Sequence, residues 1–81
     1  MKISNGSIKR CKLKFDSVGV GKQVNTALSL LEHDNVNAII AEFIYDSDND
    51  LLYNVLLFLI RENCKDEKIL KELLKFEYKI G

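Results

Sequence analysis

The sequence predicts a small α/β (α+β) domain: a mixed sheet with helices packed on it, in the order ββαβαα with an optional short C-terminal strand. Three stretches carry that expectation. Residues 7–15 alternate apolar and basic side chains, as a half-buried strand does. Residues 22–32 repeat apolar side chains at helical spacing. Residues 36–60 join a β-branched and aromatic run to a Leu-rich run through the acidic knot Asp46-Ser47-Asp48-Asn49-Asp50. Eighty-one residues suit one domain, 1–81, with no linker, proline or internal repeat to divide it.

Taken in order, Asn5-Gly6 lies between short segments and suits a type I′ hairpin turn. The strand 7–15 then places Cys11, Leu13 and Phe15 on one face and Arg10, Lys12 and Lys14 on the other. Asp16 to Gly21 reads as a turn. Val20, Val24, Ala27, Leu28 and Leu31 follow at i, i+4, i+7, i+8 and i+11, one face of a helix over Lys22–Glu32 that stops at His33-Asp34-Asn35. Val36–Tyr45 fits a mostly buried strand, so strand, helix and strand form a right-handed βαβ unit. Leu51–Ile60 fits a helix after its capping residues. Asp66 opens a last helix carrying Ile69, Leu70, Leu73 and Leu74 to about Leu74 or Lys75. Residues 75–81 fit either a helical stripe or an alternating strand.

Helix 51–60 is apolar almost all round, interrupted only by Tyr53 and Asn54. Covering one face of a sheet needs a stripe of only ~100°. The surplus side must meet the last helix, a second subunit or a partner, since each exposed large apolar side chain forgoes about 1.5–3 kcal/mol. Leu52, Leu56, Phe58 and Leu59 are the expected apolar contact residues.

Twelve basic and twelve acidic side chains cancel, which removes any global electrostatic argument for nucleic acid or membrane. Two cysteines, 11 and 64, are read as free thiols of a reducing compartment. The opening MKISNGSIKRCKLKF lacks the apolar core of a secretory signal, and ten apolar residues are too short for a bilayer span, so the expected location is cytoplasmic.

The segment Phe15-Asp16-Ser17-Val18-Gly19-Val20-Gly21-Lys22-Gln23 resembles the phosphate-binding loop of P-loop nucleotidases. That loop cradles phosphate with backbone N–H groups and neutralises it with lysine. The chain departs from it at Asp16, where the first glycine belongs, and at Gln23, where a hydroxyl residue holds magnesium. Gly19, Gly21 and Lys22, with Lys12 and Lys14 of the basic strand 9–14, are the residues a phosphate-reading module would use for nucleotide or nucleic acid. Asp46, Asp48 and Asp50 imitate the start of a calcium loop, but Leu51 and Leu57 stand where its glycine and bidentate glutamate belong. A helix cap and an acidic contact surface for a protein partner account for them. His33 ends a helix, and no spaced Cys/His set marks a metal site.

Nothing in the sequence assembles a nucleophile, a base and an oxyanion donor. The expected function is a non-enzymatic interaction protein (an inhibitor, immunity-type or adaptor protein) without cofactor or metal. It binds a protein partner or forms a homodimer. The phosphate-reading module is the alternative.

Overall fold

The Leu-rich run at 51–60 forms the middle of a longer helix, and the other elements are laid around it. The computed structural model describes residues 1–46 and 48–79. Among them there is no strand, and 69% are helical. The order is α1 (Asn5–Lys14), α2 (Val20–His33), α3 (Val36–Ile39) running into a π-helical turn (Ile40–Ile44), α4 (Asp50–Asn63) and α5 (Glu67–Leu73). The expected mixed sheet in ββαβαα order is corrected to a compact helical bundle. The three helices read around 22–32, 51–60 and 66–74 stand where the sequence places them.

The first strand and its hairpin are overturned at Ser4. Its Oγ accepts the Ser7 N–H at 3.1 Å and caps α1, so Asn5-Gly6 opens a helix. A type I′ turn needs positive φ at both central residues, and among the described residues only Gly19 has one. The buried side chains are Ser7, Cys11 and Phe15, spaced four apart, while Leu13 is 71% exposed. The alternation that suggested a strand therefore rested on a leucine that faces water.

The second strand is overturned by spacing. Ile39, Ile40 and Ile44 are buried, with Val36 and Phe43 half-buried, and these positions line one side of a helix. The Asn35 side chain caps the start by accepting the Asn37 N–H at 2.7 Å. β-branched residues disfavour helix only by tenths of a kcal/mol each, which burial of an isoleucine outweighs. The Tyr45 N–H reaches back to the Ile40 carbonyl, five residues earlier, at 3.2 Å.

Helix α4 starts where Asn49 caps it, its Oδ1 accepting the Leu52 N–H at 3.1 Å. Nine successive residues, Leu52–Ile60, are buried, because α1, α2, the π-helical turn and α5 all pack on this one helix. The surplus apolar side expected of it is met inside the chain: Leu52, Leu56, Phe58 and Leu59 are core residues of a lone subunit. Short helices can surround a fully apolar helix, whereas a sheet covers one side of it.

Two polar ties join α1 to the end of α4. Asn63 accepts the Ser4 N–H at 3.1 Å and donates to Ser7 Oγ at 2.9 Å, which satisfies a hydroxyl with no solvent access. Arg10 pairs with Glu62 through two nitrogens, at 2.8 and 3.1 Å. Asp66 caps α5 by accepting the Lys68 N–H at 2.9 Å. Helix α5 ends at Leu73, and residues 76–79 return along α4 outside any regular element.

Candidate functional site

Charge is segregated along a chain whose net charge is zero. Residues 32–50 hold six carboxylates (Glu32, Asp34, Glu42, Asp46, Asp48 and Asp50) and no lysine or arginine, whereas residues 1–31 hold six basic side chains and one acidic one. Only α2 carries members of both sets, Lys22 in its first turn and Glu32 near its end. The six acids lie on the end of α2, the loop after it, the π-helical turn, the loop before α4 and the first residue of α4, and all are exposed. Asp34 and Glu42 line one small cleft with Ala38, Ile39 and Phe43. Asp50 meets a cation, with Lys79 Nζ 3.6 Å from its Oδ1.

The basic residues expected on one strand face are divided by the helix. At 100° per residue, Lys12 and Lys14 point about 200° apart on α1. Lys14 turns to the aromatic rings of Phe15 and Tyr78, its Nζ 5.7 and 5.0 Å from their centroids. Arg10 is engaged by Glu62. That bond holds the Glu62 carboxyl below its ordinary pKa and raises the Arg10 guanidinium. Lys9 and Lys12 remain exposed on the outer side.

The loop that resembles a P-loop lies between two helices, not between a strand and a helix. Gly19, with φ of 85°, occupies the N-cap of α2 and supplies no side chain to its first amides. Gly21 is half-buried in the first turn and Lys22 is exposed. His33 ends α2 in solvent. Cys11 and Cys64 are unbridged. Among the described residues, no group of three or more His, Cys, Asp or Glu stands close enough to hold a metal ion, and no helix is long and apolar enough to cross a membrane.

The structure also assembles a contact along α4 that the sequence did not point to. Residues 76–79 lie along α4, held by Tyr53, Asn54 and Arg61 of that helix. The visible signal was the pair Tyr53-Asn54 interrupting an otherwise apolar run. A polar residue kept inside a core needs a partner. Here that partner is backbone 25 residues away.

No family model matches the chain, and neither a curated protein nor a solved structure matches it.

Proposed function

We propose that this chain is a non-enzymatic module that binds another protein, with the acidic edge at residues 32–50 as the contact for a partner presenting a basic surface. The observation that supports the reading is the segregation of charge: six exposed carboxylates without an intervening lysine or arginine, in a chain of zero net charge. Such an edge steers association and sets orientation. The side chains Asp46, Asp48 and Asp50 keep the role expected of them, and the apolar contribution expected from α4 is withdrawn because those residues are in the core.

The test uses partners captured from a lysate by the wild-type chain and then rebound in purified form. The triple variant Asp46→Lys/Asp48→Lys/Asp50→Lys is expected to bind them at least ten-fold more weakly, and wild-type binding is expected to weaken as salt rises. Purified partners that bind the triple variant as tightly as wild type overturn the reading.

The glycine cap of α2 supports the second reading, anion binding at Gly19, Gly21 and Lys22. It predicts that an oligonucleotide binds the wild-type chain with steep salt dependence, and that Lys22→Ala and Lys12→Glu each weaken it.

A further inference from the structure

We propose that the groove on α4 holding residues 76–79 is a binding site for an extended peptide, and that the chain's own C-terminal segment is its resident competitor. The ligand in trans is then an extended segment of a partner protein with the pattern aromatic, any residue, aromatic, basic. This inference shares Tyr45 and Asp50 with the stretch 32–50, but it rests mainly on Tyr53, Asn54 and Arg61 of α4 and does not depend on the acidic edge binding a partner.

The first support is the kind of contact made. Arg61 Nη2 donates to the carbonyls of Leu73 at 2.8 Å and Phe76 at 2.5 Å. The Tyr53 hydroxyl donates to the Glu77 carbonyl at 3.0 Å, and Asn54 Oδ1 accepts the Lys79 N–H at 2.8 Å. The two Arg61 bonds close the last turn of α5, where the Phe76 N–H also meets the Leu73 carbonyl at 3.0 Å, and the Tyr53 and Asn54 bonds hold main-chain groups beyond it, as peptide-binding grooves do. Asn54 and Arg61 lie two turns apart, about 10 Å along the helix. Three extended residues span the same ~10 Å. Residues 76–79 thus run antiparallel to α4, from Arg61 to Asn54.

Alternate side chains of the segment supply selectivity. Phe76 meets the Tyr45 ring edge-on with centroids 4.8 Å apart. Tyr78 packs on Phe15 at 5.4 Å, with Arg61 5.0 Å from its ring. Lys79 sits 4.4 Å from the Tyr53 ring and pairs with Asp50. Glu77, between the two aromatic residues, is exposed. The pattern of the ligand follows from these four positions.

The second, independent support is Asn54 itself. It has no solvent access, and its Nδ2 is the one buried side-chain nitrogen or oxygen among the described residues without a hydrogen-bond partner. A carboxamide offers an acceptor and two donors, which can pair with the N–H and C=O groups of an extended backbone together. The resident segment uses the acceptor alone. One donor of the Asn54 carboxamide is thus left unused with the resident segment in place.

A labelled peptide of residues 74–81 tests this on the full chain. In the wild type the resident segment competes, so apparent affinity is reduced by the fraction of chains whose groove is open. The variant Phe76→Ala/Tyr78→Ala is expected to bind the peptide at least ten-fold more tightly than wild type. Adding Asn54→Leu, which keeps the branched side-chain skeleton and removes the carboxamide, is expected to reverse that gain at least ten-fold. A scrambled peptide is expected to bind at least ten-fold more weakly. If the double variant does not fold, judged by its circular dichroism, Tyr78→Ala alone replaces it with an expected gain of at least three-fold. The proposal is overturned if no folded segment variant binds the peptide, if Asn54→Leu leaves binding unchanged, or if the scrambled peptide binds equally.

Discussion

The two thiols show how far single residues are governed by their surroundings. Burial pushes the Cys11 thiol up to about 11, with the Glu62 charge adding to the effect and Lys12 opposing it. Cys64 is half-exposed just past α4. Because the thiolate is the reactive form, a disulfide reagent at pH 8 is expected to titrate one thiol quickly and the other at least a hundred-fold more slowly. Cys64→Ser should abolish the fast phase and Cys11→Ser the slow one. The same shift has a consequence for stability. Cys11 keeps its proton in the native state after the unfolded chain has lost it, so this contribution is intact below about pH 9 and is lost as pH rises toward 11. The apolar neighbours of Cys11 were legible in the sequence as a core position. The open arm of Asn54 was not, because it depends on a segment 25 residues away.

At the scale of elements, α1 separates the helical reading from the strand reading. On a strand, Cys11 and Leu13 would share an inward face, and a charge at either position would be equally damaging. In the bundle, Leu13 faces water and Cys11 has no solvent access. Leu13→Glu is expected to change stability by no more than about 0.5 kcal/mol. Cys11→Glu buries a carboxylate and is expected to cost more than about 3 kcal/mol or prevent folding. Urea unfolding of both variants checks the difference. The strand at 7–15 was misread because three apolar residues at period two outweighed the four-residue spacing of Ser7, Cys11 and Phe15, one of whose members is polar. The strand at 36–45 was misread on composition: its isoleucines favour strands, but Val36, Ile39, Ile40, Phe43 and Ile44 already sat at helical intervals. Helix α2 was legible from its apolar stripe, and α4 and α5 from the capping side chains ahead of their apolar residues.

For the whole molecule, an exposed ion pair and an exposed hydrogen bond to a carboxylate tie together elements remote in sequence. Arg10 lowers the Glu62 pKa across α1 and α4. The Tyr45 hydroxyl, then Lys75, lower that of Glu72, and so link the residue after the π-helical turn to α5. A carboxylate with a lowered native pKa contributes stability above its ordinary value of about 4.5, and that contribution is lost as pH falls through the native one. Thermal midpoints are expected to stay level from pH 7 to 5 and to fall below about 4.5. Glu62→Gln and Glu72→Gln should each reduce that fall, and added salt should weaken both ties. Circular dichroism across the pH series measures the midpoints.

By itself the sequence determined a central apolar element at 51–60, the helices around 22–32, 51–60 and 66–74, and exposed carboxylates at 46, 48 and 50. These follow from local chemistry: capping side chains, helical stripes, and charges that stay hydrated. Only the tertiary structure decided that residues 5–14 and 36–44 are helical, that α4 is covered within its own chain, and that residues 76–79 pack along α4. An apolar pattern states which side chains leave water, but their neighbours in space decide what surrounds them. A helix apolar on all sides became self-sufficient once the supposed sheet was replaced by helices and a returning segment packed around it.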